Sequence, residues 1–203
     1  MAVVCEPDRE DEVLRQAASG ILAGLAAAPE LDVSCWRFAR GASWRRPVRR
    51  RDEASPFGPK GVRGVRWEAL SLSPRLLATG LGAGLLAGPT ASRPRAVIAL
   101  GAAGAGYIAA ALGRMLDVPV VTVVLPGDLA NGWSPRTLDA ARRADRLMAA
   151  DFESVDRLAR RGFAPWRPEA GLEARPSDDA WRDLGRQLAA GLVQGVETSM
   201  SNS

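Results

Sequence analysis

Between Arg95 and Pro165 the chain reads as three strand–helix units in a row, and no other feature restricts its fold as much. The stretch is RAVIALGAAGAGYIAAALGRMLDVPVVTVVLPGDLANGWSPRTLDAARRADRLMAADFESVDRLARRGFAP. Its apolar runs, AVIAL, VVTVV and RLMAA, are short enough for buried parallel strands, and each precedes a segment of helical period. That alternation specifies an open α/β sheet, whose ligands gather at the carboxyl ends of the strands.

The residues before this stretch extend the same pattern. AVVC at Ala2–Cys5 reads as a strand, Glu6-Pro7-Asp8 as a turn, and Asp11 to Ala28 as a helix whose apolar positions recur near helical spacing. Pro29 stops that helix, and LDVSCWRFA makes a second strand, parallel to the first through the helical crossover. Arg40 to Arg66 carries prolines and glycines without apolar periodicity and is expected to be a long surface loop. RWEALSL then gives a third strand, and Ser73-Pro74 opens a helix through Leu86.

The expectation is a three-layer Rossmann-like domain over residues 1–165, with a mostly parallel sheet of about six strands. Residues 166–203 form a connector, a terminal helix and a polar tail. In that helix Trp181, Leu184, Leu188 and Leu192 share one face, and Ser177 or Asp178 caps it.

Several chemistries are excluded by residue content. The 203 residues contain no His, so Ser-His-Asp and Cys-His mechanisms are ruled out and the commonest zinc ligand is missing. No metal is expected. Cys5 and Cys35 fall on the first two strands, where buried free thiols are common, and two cysteines make no disulfide framework. With an acidic N-terminus, MAVVCEPDRE, in place of a secretory leader, a cytoplasmic location is expected. The run Leu76 to Ala91 is Gly-rich, contains Pro89 and falls short of a membrane span.

Three clusters are candidate sites. The small-residue loop Gly101-Ala102-Ala103-Gly104-Ala105-Gly106 follows a strand and opens a helix, where backbone N–H groups are offered to an anion; the bland alternative is a tight turn with close helix packing. Gly101, Gly104 and Gly106, with Asp128 at the next strand end, are the candidate substrate-binding residues. Asp128 is suited to accept from sugar hydroxyls, or is simply part of a polar Pro126-Gly127-Asp128 turn. Gly104-x-Gly106-x-x-Ala109 also matches a dinucleotide fingerprint, with Asp128 about 20 residues on, which leaves an NAD(P)-binding reading open.

The third cluster is basic. Net charge is +4, carried by Lys60 and otherwise by arginine. Trp44, Arg45, Arg46, Arg49, Arg50 and Arg51 form a candidate contact for an anionic membrane surface or other anion, set against a plain solvated loop. No nucleic-acid partner is expected, because no recognition helix or base-stacking platform is evident.

The stretches GAAGAGYIAAALGRMLDVPVV, VVTVVLPGDL and LDAARRADRLMAADFESVDRLARRGF, in that order, resemble the N-terminal, acceptor-side domain of family 4 GT-B glycosyltransferases. The terminal helix resembles the one that in such enzymes crosses back onto the N-terminal domain. At 203 residues the chain is too short for the two Rossmann-like domains of a complete enzyme. The resemblance implies an acceptor-side domain working with a separate donor-binding subunit, in sugar transfer to a glycan or lipid-linked acceptor at the inner face of the cell membrane.

Nucleotide sugar would then be a donor substrate supplied through the partner, and no cofactor is implied for this chain. Family members commonly carry a His before the Asp of the strand end, where this chain has Val124-Leu125-Pro126, and another where it has Ala99-Leu100. The Glu-x7-Glu pair of the donor domain has no counterpart; Asp145 and Glu153 share its offset but bracket a strand on the acceptor side. A non-catalytic binding or scaffold remnant of such an enzyme is the alternative. Catalytic residues are not assignable from the sequence.

Overall fold

A computed structural model of the chain describes residues 1–6, 9, 11–41, 48–54, 57, 62–90, 93–129, 132–165 and 177–200. In chain order the elements are β1 (Ala2–Cys5), α1 (Glu12–Ala26), β2 (Ser34–Arg40), β3 (Val48–Ala54), β4 (Arg63–Ala69), α2 (Pro74–Ala87), β5 (Val97–Leu100), α3 (Gly104–Leu116), β6 (Val120–Val124), α4 (Pro135–Arg143), β7 (Arg146–Ala149), α5 (Phe152–Ala159) and α6 (Asp178–Met200). The strands form one sheet in the order β3-β4-β2-β1-β5-β6-β7. Every pairing is parallel except that of β3 with β4. The expected three-layer α/β architecture is present, with seven strands where about six were read.

The additional strand is β3, which lies inside the segment expected to be a loop. Its sequence, VRRRDEA, alternates no apolar residue with polar ones, so periodicity could not reveal it. As an edge strand it needs only one ladder of hydrogen bonds and little apolar surface, and it pairs in register from Val48↔Ala69 to Ala54↔Arg63.

The two faces of the sheet bury separate cores. On one, Val3, Cys5, Cys35, Ile98, Leu100 and Val123 pack beneath α1 and α6. On the other, Val4, Trp36, Val65, Trp67, Val97 and Ala99 pack beneath α2 and α3. A third cluster closes the β7 end with residues of α4 and α5, and Trp133 stacks on Phe163 at 5.5 Å beside it. Cys5 and Cys35 are both buried and form no disulfide, their sulfurs 3.9 Å apart in hydrogen-bond contact.

The terminal helix docks on α1, and Trp181, Leu184 and Leu188 of its apolar face are buried in the α1-side core. The approach is close enough to require glycine on both helices. A Cβ on Gly24 would lie within 2.7 Å of the Gly185 Cα, so the backbones meet where side chains would otherwise hold them apart.

Candidate functional site at the switch point of the sheet

The strand order fixes where a sheet of this kind ordinarily takes its ligand. From β1 the chain proceeds outward through β2 and β4, then returns to lay β5 on the other side of β1. The connections leaving β1 and β5 therefore diverge, and the gap between their carboxyl ends is the ordinary ligand position of such sheets. Cys5 and Leu100 are register partners at that edge, so Glu6 and Gly101 stand side by side at its rim.

Gly101 adopts φ +113°, a conformation that side chains rarely tolerate, and turns the chain from β5 into α3. A Cβ there would also fall 2.7 Å from the Glu6 carboxylate. The first N–H groups of α3 point back into the crevice, and Glu6 takes them: Gly104 N donates to Oε1 at 2.6 Å and Ala105 N to Oε2 at 3.0 Å. The place at the helix N-terminus that an external anion would occupy is thus filled by a carboxylate of the chain itself. Gly106 lies one residue further along and packs closely on the Gly101 carbonyl, the nearest approach to its would-be Cβ being 3.2 Å.

Asp128 stands at the end of β6, and its carboxylate organises the loop. Oδ2 accepts from Leu125 N at 2.7 Å and from Ala102 N at 3.0 Å, while Oδ1 is ion-paired with Arg9. The Asp128 side chain is only 6% exposed. Arg9 also donates to Asp11 at 2.6 Å and to the Pro126 carbonyl at 3.4 Å, tying the β1–α1 connection to the β6 end. Asp11 in turn caps α1 by accepting from Leu14 N at 2.8 Å.

The electrostatics follow from burial. Burial pushes the Glu6 carboxyl above its usual range, against the pull of the Ala105 and Gly104 N–H groups. Asp128 is raised for the same reason, opposed by the Leu125 N–H, the Arg9 guanidinium and the Ala102 N–H. The crevice therefore holds two partly desolvated carboxyls under one guanidinium. Both are already held by N–H groups of the chain, Asp128 also by Arg9, and Glu6 stands where a phosphate would otherwise bind.

The predicted residues Gly101, Gly104, Gly106 and Asp128 are brought together at this rim, and Glu6 and Arg9 complete it. Reading Glu6-Pro7-Asp8 as a turn concealed Glu6. The available signal was an acidic residue directly after a first strand, but its partner loop lies 98 residues away and becomes its neighbour only through the β1–β5 pairing.

The basic cluster is distributed otherwise. Trp44, Arg45 and Arg46 lie outside the described residues. Arg49, Arg50 and Arg51 sit on β3, and strand alternation divides them between the faces. Arg50 pairs in register with Trp67 and so lies on the α2 side, whereas Arg49 and Arg51 pair with Glu68 and Arg66 on the α1 side. Arg51 is ion-paired with Glu68 at 3.1 Å and Arg50 with Asp52 at 2.9 Å. Asp145 accepts from Val120 N at 2.7 Å and Glu153 is bound to Arg157 on its own helix, both structural positions.

No family model and no curated protein matches this chain. Among solved structures it is similar to a sucrose-phosphate synthase chain from Thermosynechococcus elongatus, at TM-score 0.56 and 12% identity over 96% of this chain and 97% of that one. It is also similar to a protein from Listeria monocytogenes named as a UDP-N-acetylglucosamine 2-epimerase, at TM-score 0.52 and 10% identity over 85% of this chain. The chain spans 45% of the length of that Listeria monocytogenes protein. These likenesses establish a Rossmann-like fold of the GT-B type.

Proposed function

We propose that the chain is a glycosyltransferase-like acceptor-side domain that acts with a separate donor-binding polypeptide, in sugar transfer to a glycan or lipid-linked acceptor at an anionic membrane face. The observation that carries this reading is the return of α6 onto α1 of a Rossmann-like half, which makes a closed unit of a first domain and a terminal helix. The ranges 27–220 and 406–426 in the name of the Thermosynechococcus elongatus chain read as two segments of a longer enzyme, and together they match this chain nearly end to end. In this reading the Gly101–Gly106 loop and Asp128 line the cleft toward the partner, with Glu6 and Arg9 as their supports. The nucleotide sugar is held by the partner.

Affinity purification of the tagged chain from its native host tests this. A polypeptide carrying a nucleotide-sugar domain should accompany it, and UDP or GDP should bind the complex but hardly the chain alone. Recovery of the chain by itself, or with unrelated proteins, would overturn the reading.

A second reading, a non-catalytic binding or scaffold remnant, is favoured by the occupation of the α3 N-terminus by Glu6 and by the full engagement of Asp128. It predicts no nucleotide binding with or without a partner. The dinucleotide reading of Gly104-x-Gly106-x-x-Ala109 meets the same obstacle, since a pyrophosphate would have to displace the Glu6 carboxylate from Gly104 N and Ala105 N. Absence of a thermal shift with NAD and NADP is the expected result.

A further inference from the structure

Strand β3 carries its charges in an order that is its own complement. Read forward it is Val48, Arg49, Arg50, Arg51, Asp52, Glu53, Ala54. Laid antiparallel on a second copy about a two-fold axis through Arg51, it sets Val48 against Ala54, Arg49 against Glu53 and Arg50 against Asp52, each match occurring twice. Opposite charges directly across an antiparallel pair stabilise it, and like charges there do the reverse.

The fold offers this edge for such a match. β4 pairs with one side of β3 along all seven of its residues, and no strand among the described residues pairs with the other. Arg49, Arg50, Arg51 and Asp52 are exposed and Glu53 is half-buried. An open edge gives main-chain hydrogen bonds to whatever strand lies along it, and the side chains then decide which strand that is. A foreign strand would need this same order of charges reversed in sign, whereas a second copy has it by construction.

The charge order also selects the register. A two-fold pairing keeps like faces of the sheets together, so its axis passes through a residue. Through Arg50 it would set Arg50 on Arg50 and Arg49 on Arg51; through Asp52 it would set Asp52 on Asp52 and leave Arg50 facing Ala54. Through Arg51 the one like pair is Arg51 with itself, and each Arg51 already has its counterion, Glu68 at 3.1 Å. Arg50 and Asp52, paired at 2.9 Å within one strand, would join their copies in a ring of alternating charges on the α2 side. On the α1 side Arg49, which has no ion-pair partner among the described residues, would meet Glu53 of the second copy.

We propose that β3 is the contact of a homodimer, in which two copies join their sheets antiparallel about Arg51 into one continuous sheet. A ladder of seven residues is a small interface, which suits association at micromolar protein. The rim at the β1–β5 junction is separated from this edge by β2 and β4 and stays accessible in the dimer. The pairing is read without reference to sugar transfer.

Analytical ultracentrifugation of the full chain over a concentration series tests this. The parent should dimerise at micromolar protein, and less so at high salt because the charge pairs are exposed. Arg50→Asp and Asp52→Arg should each weaken the dimer at least ~10-fold, since each sets like charges across the axis twice. An equimolar mixture of the two variants should associate again, because every Asp of one then meets an Arg of the other. Both positions lie opposite uncharged residues of β4, Trp67 and Val65, so neither substitution meets a like charge across the β3–β4 ladder, and an unchanged thermal transition should confirm folding. A dimer unaffected by either variant, or a mixture that fails to re-associate, would overturn the proposal. A parent that stays monomeric would overturn it as well and leave the edge to a strand of another protein.

Discussion

At the scale of single residues, Glu6 and Asp128 govern the crevice through their protons. Folding raises both carboxyls, so between the unfolded and folded pKa values the native state holds more protons than the unfolded chain. Stability contributed by these groups is therefore full at acid pH and falls as pH rises from about 4 through the raised values. Urea denaturation across this range should show Glu6→Gln flattening that decline, because the amide does not titrate. Arg9→Met should cost about 1–3 kcal/mol, less than a fully buried pair because Arg9 is partly exposed, and Asp128→Asn in the same chain should restore part of it. Of this arrangement the sequence disclosed the glycine loop and Asp128, because strand-end loops announce themselves by residue type. Glu6 and Arg9 act across the β1–β5 and β1–β6 ends, and no local pattern reports such contacts.

Among the elements, close approach and open space predict opposite outcomes for one substitution. Gly24→Ala places a methyl group into the α6 backbone and should destabilise by about 2 kcal/mol or more, since the helices would have to separate. Gly84→Ala, on the open side of α2 with nothing within 4 Å, should stabilise by roughly 0.5–1 kcal/mol through helix propensity. Thermal or urea unfolding of the pair distinguishes packing from propensity. Most elements were legible: the βα alternation placed α1, α2, β5, α3, β6, β7 and α6 near their observed bounds. The exceptions were β3, whose charged sequence satisfies an edge ladder without leaving a periodic apolar trace, and β4, which begins at Arg63 inside the segment expected to be a loop and ends at Ala69.

For the molecule as a whole, the two thiols report on global opening. The hydrogen bond with Cys35 and burial push the Cys5 thiol well above its usual range, and both sulfurs lie inside the α1-side core. Native protein should react with a thiol reagent at the rate of global unfolding, and both cysteines should label together in urea; fast labelling of either in the native state would show that β1 or β2 opens locally. The arrangement of the strands themselves was beyond sequence reading, because the place of β1 at the centre is set by which crossover passes over which face.

That arrangement leaves β3 as the outermost strand on its side, with a row of N–H and C=O groups that no strand among the described residues pairs. Such a row is a template on which any other extended chain can continue the sheet. Arg49, Arg50, Arg51, Asp52 and Glu53 oppose this: a stranger laid along them would have to bury or confront charges on both faces at once. The same residues that hid the strand from periodicity thus oppose continuation of the sheet at this edge by any chain that does not match their order.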